Sequence, residues 1–122
     1  MTNKIVSFDF DGCLHRSVVH GHPIGRENYR KWIPFSEIIQ KVYEELRHHE
    51  VVIVTARDSY EIPYIQGFLK HHKIPITKIF CTDNEPKLET LKMLKVIRHY
   101  DDSLRVKKEL EGSNIEFIQT YP

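Results

Sequence analysis

The chain has 122 residues, the length of one domain with a single hydrophobic core. Its 18 Lys and Arg residues nearly balance its 17 Asp and Glu residues, and the formal net charge of +1 argues against a partner recognised by net charge alone. The two cysteines, Cys13 and Cys81, are far apart in sequence, and no apolar run approaches the ~20 residues that span a bilayer. We therefore expect a cytoplasmic protein with free thiols, neither disulfide-stabilised nor embedded in a membrane.

Strand-like and helix-like stretches alternate along the chain. Strands are predicted at residues 4–10, 51–54, 79–81, 96–100 and 115–118. Helices are predicted at residues 34–49, 59–72, 85–95 and 103–111, with Pro34 in the first turn of the first helix. Residues 12–32 are punctuated by glycine and proline and predict an irregular, flap-like insert.

This alternation predicts an α/β fold. Strands separated by helices form a doubly wound, mostly parallel five-stranded sheet with helices on both faces, a three-layer sandwich over the single domain 1–122. The β-branched run at residues 51–54 predicts a central strand that is covered on both faces. Ligands of such folds bind at the carboxyl ends of the strands, where the strand order reverses.

Two carboxylates end the first predicted strand. Asp9 and Asp11 are two residues apart, so they face the same side of an extended chain, and Gly12 lets the backbone turn directly after them. Like charges held this close persist when a cation lies between them or when one carboxyl is protonated. The pair therefore indicates either a metal site or a nucleophile beside a general acid.

Further polar residues follow the other strands or begin the helix before the fourth strand. They are Thr55, Ala56, Arg57, Lys87, Asp101 and Asp102. We expect them to meet at one edge of the sheet, because the carboxyl ends of parallel strands lie together. Carboxylates, a hydroxyl, a lysine and an arginine suit a hard divalent cation together with a phosphoryl group.

The segments DFDGCL, VTAR, Lys87 and YDDS, in this order, resemble the four motifs of the haloacid dehalogenase superfamily of phosphotransferases. The resemblance covers the whole chain and implies a Rossmann-like fold and a magnesium-dependent phosphomonoester hydrolase. Larger members carry a cap domain after the first or third strand. Here residues 82–85 leave no room for one, so the resemblance implies a capless member with an open site.

The resemblance also implies roles for individual residues. Asp9 would be the nucleophile that forms an aspartyl-phosphate, and Asp11 the general acid and base. Thr55 would donate a hydrogen bond to a phosphoryl oxygen, and Lys87 would neutralise charge between the phosphate and Asp9.

The implied cofactor is Mg²⁺. Asp9 and Asp102 would hold it with the backbone carbonyl of Asp11, and Asp101 would support them. Asp102 is preferred over Asp101 as the direct ligand because it aligns with the residue before serine in related motifs of the superfamily.

The expected substrate is a phosphorylated small molecule or a phosphorylated nucleic-acid end. Arg57 after Thr55-Ala56 resembles the ending of the corresponding motif in polynucleotide 3′-phosphatases of the superfamily, so we expect Ala56 and Arg57 to contact the substrate. Arg16 and Arg26 lie in the insert, and we expect them to contact substrate beyond the transferred phosphate.

Three alternatives remain open from the sequence. The first is an end-processing activity like that of a polynucleotide 3′-phosphatase. The second is a receiver-like signalling domain, in which Asp83 after the third strand would be phosphorylated. The third is a non-catalytic phosphate-binding module.

Overall fold

The computed structural model describes residues 4–16, 18–19 and 22–120, with the backbone alone at residues 18–19 and 22–23. Among these residues, one five-stranded sheet contains β1 (Ile5–Phe8), β2 (Glu50–Thr55), β3 (Ile79–Cys81), β4 (Val96–Asp101) and β5 (Glu116–Gln119). The connecting helices are α1 (Ser36–Leu46), α2 (Ile62–His71), α3 (Leu88–Met93) and α4 (Leu104–Leu110). The predicted alternation of strands and helices is therefore confirmed.

The strand order is β3-β2-β1-β4-β5, and every neighbouring pair is parallel. The chain builds outward from β1 to β3 and then returns to the other side of β1 to form β4. This reversal lies between β1 and β4, which is where doubly wound sheets open a ligand crevice at the carboxyl ends. The residues that follow β1 and β4 are consequently neighbours in space.

Helices cover both faces of the sheet, so the predicted three-layer sandwich is also confirmed. One apolar cluster packs α1 and α2 against one face, and a second packs α3 and α4 against the other. Alternate residues of β2 contribute to the two clusters, with Val51 and Ile53 in the first and Val52 and Val54 in the second. No helix in the described ranges is long and apolar enough to cross a membrane.

Two helices begin later than predicted. The helix predicted from residue 34 begins at Ser36, because Ile33–Pro34 pairs as a short antiparallel strand with His15–Arg16 and Phe35 is extended. The helix predicted from residue 85 begins at Leu88.

The reason for the second delay lies in the turn after β3. Asp83 and Asn84 adopt positive φ values of 52° and 66°, and their N–H groups donate to the carbonyls of Arg57 and Ala56. This turn is bound to the segment after β2, so α3 starts only beyond it.

The predicted helix 59–72 is divided. A 3₁₀ turn covers Ser59–Glu61 and α2 follows, with Pro63 in its first turn. Proline is tolerated there because the first N–H groups of a helix have no intrahelical partner. The fourth predicted helix is confirmed as α4, where the Ser103 hydroxyl accepts a hydrogen bond from Val106 N at 3.3 Å.

The insert 12–32 is irregular, as predicted, apart from short paired strands and a 3₁₀ helix at Arg26–Lys31. Residues 17, 20 and 21 lie outside the described residues. Trp32 anchors its end: the indole is buried, stacks on His15 with ring centroids 4.6 Å apart, and packs against Phe68 of α2. The expectation that this insert is flap-like stays a prediction.

Candidate active site

Asp9 lies at the point where β1 leaves the sheet. Its N–H still donates to the carbonyl of Tyr100 on β4, at 2.8 Å, and its side chain is buried. Gly12 then turns the chain with a positive φ of 71°. A Cβ at this position would collide with the carboxylate of Asp102, so glycine is required both for the turn and for the close approach of the two loops.

Lys87 joins the ends of β1 and β4. Its buried ammonium donates to Asp9 Oδ1 at 2.8 Å and to Asp101 Oδ2 at 2.7 Å. Burial alone would lower the pKa of Lys87, but the two carboxylates raise it above its ordinary value. The lysine is therefore a fixed positive charge in the floor of the site.

Two further groups besides this lysine contact Asp101, and a third supports one of them. His99 Nε2 lies 2.8 Å from Asp101 Oδ2, and the N–H of Ser103 donates to Asp101 Oδ1 at 3.0 Å. The Ser7 hydroxyl lies 2.7 Å from His99 Nδ1. Burial raises the pKa of Asp101, but hydrogen bonds and charge from His99 and Lys87 bring it below its ordinary value.

These contacts determine the tautomer of His99. Asp101 is a carboxylate and can only accept, so Nε2 carries the hydrogen and donates to it. Burial lowers the pKa of His99, so the ring is neutral and Nδ1 accepts from the Ser7 hydroxyl. Ser7 thus donates to His99 and His99 donates to Asp101, and this buried chain of hydrogen bonds fixes the orientation of the Asp101 carboxylate.

Asp9, Asp101 and Asp102 form a group that fits a metal ion. Each offers one carboxylate oxygen, and these oxygens lie within 4.8 Å of one another. Both oxygens of Asp101 already accept hydrogen bonds, whereas Asp102 is partly exposed beside Gly12. The donor set is all oxygen, which suits Mg²⁺ or Ca²⁺ and not a soft cation.

The charge of this group also fits a cation. Burial raises the pKa of Asp9 to about 8, against the opposing effect of Lys87, and burial raises the pKa of Asp102. Without a cation, Asp9 is therefore largely protonated at neutral pH. A divalent cation held by these three acidic side chains would add positive charge and favour the carboxylate form of Asp9.

Asp11 lines the same pocket as Asp9 and pairs with Arg57. The guanidinium donates from Nε and Nη2 to the two carboxylate oxygens, and His15 Nε2 lies 3.2 Å from Asp11 Oδ1. Burial raises the pKa of Asp11, but the hydrogen bonds and charge of Arg57, together with the nearby His15 ring, hold it well below its ordinary value. Asp11 is thus a carboxylate in this arrangement.

Arg57 is positioned by aromatic rings. Its guanidinium lies 4.7 Å from the ring centroid of Trp32 and 5.5 Å from that of Phe10, and Glu61 accepts from Nη1 at 3.4 Å. Arg57 was predicted to contact a substrate phosphate; here its donors are directed to Asp11 and Glu61.

Thr55 ends β2 inside the same pocket and is buried. Its hydroxyl oxygen accepts a hydrogen bond from the N–H of Arg57 at 3.2 Å, which leaves the hydroxyl hydrogen free to donate to a ligand. Six predicted residues line this pocket of about 220 Å³; they are Asp9, Asp11, Thr55, Ala56, Lys87 and Asp101.

Arg16 and Arg26 are not among the residues that line this pocket. Arg16 is exposed at the end of a two-residue strand, and Arg26 begins the 3₁₀ helix beside Glu61. Their predicted contact with substrate would have to occur outside the phosphate pocket.

Sequence reasoning missed Ser7 and His99. A signal was present, because each lies two residues before a site carboxylate, Asp9 and Asp101, on the same strand. Side chains two apart share a face of a strand, so both were candidates for the second layer of the site. No sequence signal indicated His15, whose place depends on packing against Trp32.

Comparisons with known proteins show a likeness of fold. No protein-family model matches the chain, and no curated protein matches its sequence. A chain of the Pnkp1/Rnl/Hen1 RNA repair complex is 16% identical with a TM-score of 0.78, and a chain in a second structure of the Pnkp1/Rnl/Hen1 complex is 14% identical with the same TM-score. Both alignments cover 98% of this chain but 43% and 46% of those chains, so this chain spans less than half their length.

Proposed function

We propose that this protein is a magnesium-dependent phosphomonoester hydrolase that acts through an aspartyl-phosphate on Asp9. The observation that carries the proposal is the arrangement around Asp9: Lys87 Nζ lies 2.8 Å from one oxygen, and oxygens of Asp101 and Asp102 lie within 4.8 Å. A nucleophilic carboxylate and a fixed ammonium therefore border one pocket, together with Asp101 of the cation-binding group.

In the first step, a carboxylate oxygen of Asp9 attacks phosphorus and the bond from phosphorus to the leaving oxygen breaks. Asp11 gives a proton to that oxygen, so an alcohol leaves and Asp11 becomes a carboxylate. Lys87 and the Thr55 hydroxyl donate to the phosphoryl oxygens, where negative charge accumulates. Before this step, Asp11 has to leave Arg57 and take up a proton.

In the second step, water attacks phosphorus and the bond to Asp9 breaks. Asp11, as a carboxylate, accepts a proton from that water. The products are inorganic phosphate and the regenerated Asp9 carboxylate, and Asp11 has its proton back for the next turnover. The pairing of Asp11 with Arg57 favours the carboxylate form that this step needs.

Asp9 and Asp102 would hold the magnesium ion, with Asp101 as their support. When bound, the ion supplies positive charge that offsets the charge of Asp9 and of the phosphoryl group. Only the carboxylate form of Asp9 attacks, and Lys87 favours that form.

An end-processing activity on phosphorylated nucleic acid is the favoured form of this function. Support comes from the fold likeness to chains of an RNA repair complex and from the sequence Thr55-Ala56-Arg57. A cytoplasmic location is proposed as well, from the free thiols of Cys13 and Cys81.

The receiver-like alternative is disfavoured by topology. Receiver domains such as CheY have the order 2-1-3-4-5, whereas this sheet has the order 3-2-1-4-5. Here β3 is an edge strand, and the carboxylate of Asp83 after it accepts hydrogen bonds from Ser59 N and Oγ. Asp83 is therefore a turn-stabilising residue.

The test is phosphate release from an aryl phosphomonoester with magnesium and after chelation. Wild-type protein and an Asp83→Asn control should release phosphate only with magnesium, and Asp9→Asn should release none. A non-catalytic module would release none in any variant. A receiver domain would itself be phosphorylated, and Asp83→Asn would abolish that phosphorylation.

A further inference from the structure

An exposed aromatic and cationic surface lies beside the pocket. Tyr60 is 62% exposed at the turn that precedes α2. The guanidinium of Arg26 lies 5.1 Å from the centroid of the Tyr60 ring and 5.7 Å from that of Tyr64. Arg26 Nη1 also donates to the Tyr60 hydroxyl at 3.5 Å, while its side chain stays 45% exposed. We call Arg26, Tyr60 and Tyr64 the stacking surface.

Short contacts connect the stacking surface to the site. Arg26 Nη1 lies 3.7 Å from Glu61 Oε1, Arg57 Nη1 lies 3.4 Å from the same oxygen, and Arg57 Nη2 lies 2.6 Å from Asp11. A second pocket, of about 350 Å³, is lined by Arg26, Glu61, Arg57 and Trp32. Two side chains, Glu61 and Arg57, thus lie between the stacking surface and Asp11, so a ligand that occupies both places has to extend beyond its end phosphate.

The side chains of this surface suit a ligand in which a nucleobase lies next to an anionic group. A large, exposed aromatic ring offers a flat face on which any base stacks, and an arginine beside it binds a backbone phosphate or stacks as a cation. A small sugar phosphate held at Asp9 has no base to stack on Tyr60. The guanidinium groups of Arg26 and Arg57 both contact the carboxylate of Glu61. Positive charge therefore continues from the pocket towards the stacking surface.

We propose that the stacking surface binds the terminal nucleotides of a single-stranded nucleic acid whose end phosphate lies at Asp9. A base stacks on Tyr60, and a backbone phosphate contacts Arg26. This inference rests on the proposed phosphatase function and specifies its substrate class. A free mononucleotide shares the base and phosphate but is too short to occupy both places.

The test compares four substrates, each measured with wild type and variants. The substrates are a trinucleotide with a 3′-phosphate, the same trinucleotide with a 5′-phosphate, a mononucleotide and an aryl phosphate. The variants are Tyr60→Ala, Tyr60→Phe and Arg26→Ala. Tyr43→Ala is the matched control, because Tyr43 is also an exposed tyrosine but donates to the Lys73 carbonyl at the far end of α2.

Tyr60→Ala should raise KM for one of the trinucleotides by about 5- to 150-fold, the range expected for one lost base stack. KM for the mononucleotide and the aryl phosphate should change less than about twofold, a pattern of lost binding without lost chemistry. Tyr60→Phe should restore the wild-type KM, and Tyr43→Ala should leave every value unchanged. Arg26→Ala should raise KM for the same trinucleotide and weaken its salt dependence.

Binding of a fluorescent trinucleotide to the Asp9→Asn protein gives a second, non-catalytic measurement. Tyr60→Ala in that background should weaken the affinity by the same factor. The inference is wrong if trinucleotides show no advantage over the mononucleotide, or if Tyr60→Ala changes all substrates equally. Hydrolysis of aryl phosphate without oligonucleotide binding would overturn this inference alone; oligonucleotide binding without any phosphate release would overturn the proposed function alone.

Discussion

Arg57 donates two hydrogen bonds to the carboxylate of Asp11, from Nε at 2.7 Å and from Nη2 at 2.6 Å. Two-point pairing of this kind fixes orientation as well as charge. Because Arg57 follows β2 and Asp11 follows β1, the contact also binds two loops of the site together. Arg57 also stacks on Trp32, so its orientation depends in turn on the insert.

We therefore expect Arg57 to position the Asp11 carboxylate for the second step, in which Asp11 accepts a proton from water. Arg57→Ala should lower kcat by about tenfold to a hundredfold, as expected when a catalytic group loses its orientation. Arg57→Lys should recover only part of the rate, since an ammonium lacks the two-point geometry. Arg47→Ala, at an exposed arginine after α1, is the control and should have wild-type kinetics. An unchanged rate in Arg57→Ala would contradict this role.

Asp11→Asn should slow turnover of alkyl phosphates more than that of aryl phosphates. General acid catalysis contributes roughly 10²–10⁴-fold and matters least when the leaving group is already acidic. The quantity to measure is the ratio of kcat/KM for an aryl and an alkyl phosphate, in wild type and variant. If the ratio does not change, Asp11 is not the acid of the first step.

Activity should require magnesium, and calcium should inhibit it. Magnesium prefers octahedral geometry and would leave one oxygen of Asp9 free, whereas calcium accepts more ligands at longer distances and could bind both oxygens of Asp9. Phosphate release is measured after chelation and after addition of each cation. Turnover in chelator, or equal rates with the two cations, would disprove this prediction.

Glu45 should make stability depend on acid pH. Arg98 donates to both of its oxygens and Tyr100 to one, and these hydrogen bonds lower the pKa of the buried Glu45 to about 2. Because the folded pKa lies below the ordinary 4.5, the contribution is complete above that value and is lost as pH falls towards 2. Glu45→Gln should therefore lower the free energy of unfolding by about 1–3 kcal/mol near neutral pH.

The measurement is urea unfolding of wild type and Glu45→Gln, near neutral pH and at about pH 3. The difference between the two proteins should shrink in acid. Glu44→Gln is the control, since Glu44 is half-exposed and forms a surface pair with Lys41. A difference that is equal at the two pH values would show that the ionised form of Glu45 is not what stabilises the fold.

Much of this site could be predicted from the sequence because its carboxylates lie at the ends of strands. Asp9 and Asp101 end neighbouring parallel strands, so the alternation of strands and helices is sufficient to bring them to one edge. Lys87 was predicted from its motif, and its ammonium lies between these two carboxylates.

The contacts of Arg57 could not be predicted in the same way. Which acceptor an arginine takes depends on the rotamer, and here the rings of Phe10 and Trp32 determine where the guanidinium lies. The late start of α3 has a similar cause, because it follows from the positive φ of Asp83 and Asn84 and not from helix propensity. Contacts between residues far apart in the sequence decide both features, through side-chain packing for Arg57 and through backbone hydrogen bonds for α3.

The covalent step on Asp9 is tested most directly by the mass of the intact protein. With an aryl phosphate the first step needs little acid catalysis, but the second step lacks its base in Asp11→Asn, so the phosphorylated enzyme should accumulate. Asp11→Asn should gain one phosphoryl group, located at Asp9, and the Asp9→Asn/Asp11→Asn double variant should gain none. A phosphoryl group on another residue, or full phosphatase activity in folded Asp9→Asn, would contradict it.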